Sequence, residues 1–259
     1  MENLKFQILG TSSSGNCAVL RSRESCILID AGFTGKRIKD GLAELGMTIG
    51  DVDAVFFTHE HRDHTAGVPG LSSAQNLQFF ANKLTADAIE KRYSRKLDWK
   101  YFETGTRFEF LDFTVTNFAI QHDTDDPVGF VFESGGERLA WVTDIGKMTN
   151  VVRRHVQDVD VLVMESNYDL KMLNDSARPE ELKARIRGSH GHLSNDACGE
   201  FLCEYENERL QKIFFAHISK ECNTPGKVEK IACENCRSGI PFSVVNPANF
   251  LPENGGFGF

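Results

Sequence analysis

Six short apolar runs in this chain each lead to a side chain that can bind a metal ion: LID at Asp30, FFTH at His59, AIQH at His122, WVTD at Asp144, VMES at Glu165 and FFAH at His217. Runs of this length and make-up read as buried strands. A buried strand does not carry an unpaired carboxylate or imidazole along its length, because the loss of hydration is too costly. The polar residue therefore belongs where the strand leaves its sheet. In sheets flanked by helices, ligand sites gather beyond one set of strand ends, so these residues can converge although they span positions 30 to 217.

The rest of the pattern supports a mixed α/β fold in which strands and amphipathic helices alternate. Strands are predicted at Leu4 to Leu9, Cys17 to Leu20, Cys26 to Ile29, Ala54 to Phe57, Leu77 to Ala81 and Phe113 to Phe118. Further strands are predicted at Val128 to Phe132, Leu139 to Val142, Val159 to Met164 and Ile213 to Ala216. The glycine- and serine-rich stretch Gly10 to Asn16 reads as a loop. A helix near Lys36 to Leu45 puts Ile38, Leu42 and Leu45 on one face and stops at Gly46, which suits a left-handed cap. Ser194, and Thr224 followed by Pro225, are expected helix N-caps. No shift of composition marks a boundary, so residues 1–259 are expected to form one domain.

Composition narrows the class. With 41% hydrophobic and 25% charged residues in 259, the chain can bury a full core, which excludes disorder and fibrous repetition. No uninterrupted apolar run reaches the length of a spanning helix, and MENLKFQILG lacks the order of a signal peptide. Seven cysteines, an odd number in a long chain, read as reduced thiols and point to a cytoplasmic location without membrane attachment. Cys233 and Cys236 fall three apart on a predicted helix and read as packing thiols, since no second pair completes a zinc site. Lysine and arginine number 29 against 37 acidic residues, a net charge of −8 that gives no global attraction for nucleic acid or anionic membrane. An anionic substrate must be held locally. Two basic clusters, Lys91/Arg92/Arg95/Lys96 and Arg178/Lys183/Arg185/Arg187, read first as solvated helix faces.

The densest signal is Thr58-His59-Glu60-His61-Arg62-Asp63-His64, an H-x-H-x-D-H run straight after an apolar strand. In extended chain, residues two apart project to the same side, so His59 and His61 can grip one ion. Asp63 and His64, past a turn, can face a second. Imidazole with carboxylate and no thiolate suits Zn²⁺ or Mn²⁺. Two ions need more than four ligands, and His122, Asp144 and His217 can supply them. The hydroxyls, amide and glycine backbone between Ser12 and Asn16 can donate to a phosphate nearby.

These motifs carry a resemblance. With LGTSSSGNCAVL, ILIDAGFTGKRI, FFTHEHRDHTAGV, AIQHDTDDPVGFVF, LAWVTDIG, VMESNYDLKML, GHLSNDA and FFAHISKECNTP, the chain resembles the metallo-β-lactamase-fold hydrolases, in their YycJ/WalJ-like branch, from end to end. The resemblance implies a four-layer αββα sandwich with a site at one edge of the two sheets. It implies that His59, His61 and His122 hold one divalent ion, that Asp63, His64 and His217 hold another, and that Asp144 bridges them. Asp30 would orient the histidine loop without being a ligand. His192 in GHLSN would donate a proton to a leaving oxygen, so that Asp63 and His192 are the catalytic candidates, with Ser13, Ser14 and Asn16 for substrate. The implied activity is phosphodiester hydrolysis of nucleic acid by a water ionised between two metals, as in a 5′ to 3′ DNA exonuclease. A glyoxalase II-like thioesterase, another small-molecule hydrolase, or a non-catalytic metal or nucleic-acid binding module are the alternatives. Glu165 and Asn167 are read as tuning the site, with Glu165 equally readable as a surface anion; His155 is read as a surface residue, and His190 has no assigned role.

Overall fold

The computed structural model describes residues 3–237 and 239–257. The first sheet runs in the order β14 (Gly256–Phe257), β1 (Lys5–Ser12), β2 (Gly15–Arg21), β3 (Cys26–Ile29), β4 (Ala54–Phe56), β5 (Gln78–Ala81), β6 (Trp99–Tyr101). The second runs β13 (Phe242–Val244), β12 (Lys212–Ala216), β11 (Val161–Glu165), β10 (Glu137–Val142), β9 (Val128–Ser134), β8 (Phe113–Ala119), β7 (Arg107–Phe110).

Because strand side chains alternate between faces, each sheet buries two apolar layers. Phe6, Ile8, Ala18 and Phe56 meet Phe130, Phe132, Trp141 and Phe214 between the sheets. Phe56 anchors this layer, stacked on Phe80 at 4.5 Å and edge-on to Phe132 at 5.5 Å, the offset and T-shaped geometries that aromatic quadrupoles favour. The alternate residues Leu9, Val19, Leu28, Val55 and Phe57 turn outward. Helices α1 (Gly35–Glu44), α3 (Val68–Leu71) and α4 (Lys83–Tyr93) cover them, while α2 (Arg62–Thr65) is a single turn holding part of the histidine run. On the far side, α5 (Asn150–Val156), α8 (Asn195–Glu204) and α9 (Pro225–Asn235) cover Ala140, Leu162, Ile213 and Phe215, while α6 (Leu170–Asp175) and α7 (Glu180–Arg187) contribute to a smaller cluster around Tyr168. The outcome is the four-layer αββα sandwich. No helix among the described residues is long and apolar enough to cross a membrane.

Strand direction explains why the polar strand ends meet. β3 and β4 are parallel. β8 and β10 both run antiparallel to β9, and β10, β11 and β12 are parallel. The carboxyl ends of β8, β10, β11 and β12 therefore lie on one edge of their sheet. Two cross-sheet bonds fasten that edge to the first sheet: Val128 N–H donates to the Thr58 carbonyl at 3.0 Å, and His217 N–H donates to Thr11 Oγ1 at 2.9 Å.

The caps fall where expected. Ser194 Oγ accepts from Ala197 N–H, Thr224 Oγ1 accepts from Lys227 N–H with Pro225 at the first position, and Gly46 has φ +72°. The stretch Gly10 to Asn16 is different from the expected loop. Gly10 pairs with Cys17, Thr11 with Asn16 and Ser12 with Gly15, so β1 and β2 close on a two-residue turn at Ser13 and Ser14. Loop-like composition lost to a backbone ladder that runs through the stretch after a bulge between Ile8 and Gly10. His155 also departs from expectation, since it is half-buried and stacks flat on Phe118 at 4.6 Å. Gly32 marks the tightest crossing at the site, because a Cβ there would lie 1.7 Å from the Asp63 carbonyl oxygen. That contact is backbone, which cannot swing away.

Candidate metal centre

His59 follows β4, with His61 two residues on, and their rings lie 4.8 Å apart on the same side of the extended segment. Asp63 and His64 sit one turn further, in α2. His122 follows β8, Asp144 follows β10 and His217 follows β12. Asp30, Asp144 and His217 each have a left-handed backbone, with φ of 59°, 56° and 52°. That conformation costs a non-glycine residue about 1–2 kcal/mol. It bends the chain sharply at the strand end, and hydrogen bonds such as Thr58 N–H to Asp30 Oδ1 at 2.8 Å offset the strain.

All seven sequence-predicted ligands are brought together. One ring nitrogen from each of His59, His61 and His122 lies within 4.8 Å of the other two, and the same holds for one ligand atom from each of Asp63, His64 and His217. Asp144 lies between the two groups: Oδ2 is 3.2 Å from His64 Nε2, and Oδ1 is 3.4 Å from His217 Nε2 and 3.7 Å from His122 Nε2. His59, His64, Asp144 and His217 form a buried floor, whereas the side chains of His61 and Asp63 are 28% and 24% exposed at the rim.

Each floor imidazole is oriented from behind. Nδ1 of His64 meets Asp30 Oδ2 at 2.7 Å, Nδ1 of His217 meets Glu165 Oε1 at 2.7 Å, Nδ1 of His59 meets Thr58 Oγ1 at 2.9 Å, and Nδ1 of His122 meets the Gly191 carbonyl at 3.1 Å. This arrangement fixes tautomer and ring plane and turns Nε2 inward, as metal-binding histidines require. Asp30, expected to orient the histidine loop, contacts His64 through its Nδ1.

The electrostatics couple the buried carboxylates and imidazoles of the site. Burial opposes ionisation of Asp144, yet His217 and His64 hold its carboxyl well below the usual range. Burial likewise opposes charge on His217, but Asp144, with Asp63 and Glu165, pushes it up to about 10. Burial and the imidazoles of His122 and His64 push His61 down to about 4. His59 Nε2, His217 Nε2 and Asp144 Oδ2 are buried without a hydrogen-bond partner. Buried polar atoms are almost always satisfied, so three orphans directed at one space fit divalent cations well. Imidazole and carboxylate donors suit such ions.

Three residues carry more, or something other, than the sequence indicated. Glu165 is fully buried rather than on the surface. Its Oε1 accepts from Nδ1 of both His217 and His192, at 2.7 and 2.8 Å, and its Oε2 accepts from Ile145 N–H at 2.8 Å and Leu193 N–H at 3.3 Å. The strand-end pattern that flagged the other residues flagged Glu165 too. Asn16, expected to bind substrate, is 1% exposed and faces inward. Its Oδ1 accepts from Thr11 Oγ1 and Ser12 N–H, and its Nδ2 donates to the Ser12 carbonyl at 3.0 Å and lies 3.4 Å from Asp63 Oδ2. Its burial leaves Ser13 and Ser14 as the exposed tip. Asp123 was not anticipated: Oδ1 is 3.4 Å from His122 Nε2, and Oδ2 is ion-paired with Arg185.

A cleft of about 200 Å³ opens over the floor, lined by Ser13, His61, Asp63, His192, Arg178 and Arg185 among others. Part of the second basic cluster therefore faces the site, contrary to a purely solvated helix face. Arg178 pairs with Glu221, while Lys183 is 6% exposed and donates to the Asn174 carbonyl at 2.8 Å.

Glu165→Gln is expected to weaken metal binding by about 10- to 100-fold, because an amide has one accepting oxygen and cannot serve both the two Nδ1 groups and the Ile145 and Leu193 N–H groups on the other side. Metal titration of the purified variant checks this, and unchanged affinity would refute the orienting role.

The sequence model for the beta-lactamase superfamily domain matches residues 26–218. The chain is 34% identical over 251 residues to exodeoxyribonuclease WalJ of Streptococcus pneumoniae, with 93% of each chain covered. It is 30% identical over 222 residues to exodeoxyribonuclease YycJ of Bacillus anthracis, covering 85% of this chain and 84% of that one. The crystal structure of the metallo-beta-lactamase fold protein YhfI from Bacillus subtilis superposes with a TM-score of 0.72 at 15% identity, over 95% of this chain and 97% of that one. Fold, strand-end residues and sequence agree: the chain belongs to the beta-lactamase superfamily, among its WalJ/YycJ-like members.

Proposed function

We propose that this protein is a metal-dependent phosphodiesterase acting on nucleic acid, and specifically a DNA exonuclease. The observation that carries the reading is the pair of ligand groups, His59/His61/His122 and Asp63/His64/His217, with Asp144 between them and His192 at the cleft wall. Those residues would hold two divalent cations, Zn²⁺ or Mn²⁺. When bound, such ions lower the pKa of water toward about 7 and neutralise charge on non-bridging phosphate oxygens.

The chain's own groups do the remaining work. His192 lines the cleft, and its Nδ1 is held by Glu165 Oε1 at 2.8 Å. Burial disfavours its charge, but the Glu165 carboxylate outweighs this and raises its pKa above the usual histidine value. A protonated imidazole so placed can give its proton to a departing alkoxide. The exposed Ser13 hydroxyl offers a donor to the phosphate. Arg178 and Arg185 line the wall, each paired with a carboxylate, and their remaining N–H groups can donate to a phosphate. The names of the relatives, both exodeoxyribonucleases, support the choice of DNA.

The test is a substrate panel: end-labelled DNA, end-labelled RNA, bis(p-nitrophenyl) phosphate and a glutathione thioester, each with Zn²⁺- or Mn²⁺-loaded protein. Expected is stepwise shortening of DNA from an end, with little thioester cleavage. Cleavage of the thioester alone would move the assignment to the rival class of hydrolase.

A further inference from the structure

A second cleft, of about 470 Å³, lies across the Ser13–Ser14 tip from the first and is lined by Ser13, Ser14, Phe33, Arg37, Arg62 and Asp63 among others. Ser13 and Asp63 line both clefts, so the two adjoin at the hairpin tip. The far end of the first cleft is walled by Leu182, Arg185 and Ile186 of α7. There Arg178 and Arg185 are already matched with Glu221 and Asp123.

Cations on the hairpin side are not matched. Arg62 is exposed and has no ion-pair partner among the described residues. The Arg37 guanidinium lies over the rings of Phe33 and Phe250, at 4.9 and 4.4 Å, again with no carboxylate partner. Stacking of this kind restrains the side chain while leaving its N–H donors available. Lys220 approaches the same tip from the other side, with Nζ 3.4 Å from Ser14 Oγ. In a chain of net charge −8, unpaired cations grouped around one tip beside an open cleft form a local anion path.

We propose that Arg37 and Arg62 form a binding subsite for the phosphate next to the scissile one, so that the retained strand leaves the metal centre over Ser13–Ser14 into this second cleft. The inference rests on the nuclease reading above. It assigns the terminal nucleotide to the closed side under α7 and the polymer to the open side.

Substrate length tests it. A dinucleoside monophosphate has only the scissile linkage, whereas a trinucleoside diphosphate cut at its terminal linkage places one more phosphate on the retained side. In the wild-type protein kcat/KM is expected to rise about ten-fold from the first to the second, the scale of a charge-assisted contact. In Arg37→Ala/Arg62→Ala that gain is expected to vanish, and the salt dependence of kcat/KM on a longer single strand to flatten. Arg62→Gln serves as the second variant: among the described residues Arg62 packs on no ring, and the substitution is expected to remove part of the gain at an unaltered melting temperature. A double variant that keeps the full length gain, or a wild-type protein that shows none, would overturn the subsite. Failure of the underlying reading looks different: no oligonucleotide of any length is cut while the thioester is.

Discussion

His61→Ala/Asp63→Ala is expected to remove hydrolysis down to background, a loss of about 10³-fold or more, because each ligand group loses a member and with it the charge stabilisation a bound cation supplies. These two positions isolate chemistry from folding better than their neighbours do. Both side chains are partly exposed at the rim, so truncation leaves no deeply buried charge without a partner. Replacing His64 or Asp144 would do that, since both are buried and mutually paired at 3.2 Å. Elemental analysis should find less bound metal, and the melting temperature of the metal-free protein should change little. Cleavage that survives in the double variant would come from a contaminant or another site, and would sink the assignment of this centre.

His192→Ala is the second large effect. General acid catalysis contributes roughly 10²- to 10⁴-fold, and the proton matters most when the leaving alkoxide is a strong base. DNA cleavage should therefore fall by about that range, while bis(p-nitrophenyl) phosphate, whose leaving group needs no proton, should fall much less. The pH dependence has a definite sign. The acid works only when protonated, and Glu165 raises the His192 pKa, so its contribution to kcat should be full below that value and decline as pH rises through it, giving the pH profile a descending alkaline limb. The alanine variant should lack the decline. Equal losses on both substrates would show that His192 supports the fold or the metal, as its nearness to Asp144 and His217 also allows, and not the leaving group.

Much of this centre was legible in the sequence because strand ends in an αββα fold have no other place to put a carboxylate or an imidazole. The run from His59 to His64, and the later His122, Asp144 and His217, stood out on that ground alone. What escaped notice was set by tertiary contact. Asn16 looks like a solvent-facing donor, but β1, β2 and Asp63 surround it. Asp123 looks like ordinary loop acid until Arg185, 62 positions away, is found against it. The strands β6, β7, β13 and β14 were not predicted either. β7 reads RFEF and is mostly solvent-facing, so it lacks the apolar signature of a central strand, and edge strands are generally less apolar by design. Glu165 was the reverse case: its position was flagged, but nothing in VMES tells a buried bond acceptor from a surface anion.

Each ligand group draws on both halves of the sandwich. His59 and His61 follow the first sheet and His122 the second, just as Asp63 and His64 follow the first and His217 the second. A cation held by either group would thus tie one sheet to the other, adding to the apolar packing and to the hydrogen bonds that already cross at that edge, such as His217 N–H to Thr11 Oγ1 and Val128 N–H to the Thr58 carbonyl. Loading would then couple catalytic competence to the stability of that seam, and a chelator is expected to lower the melting temperature as well as the activity.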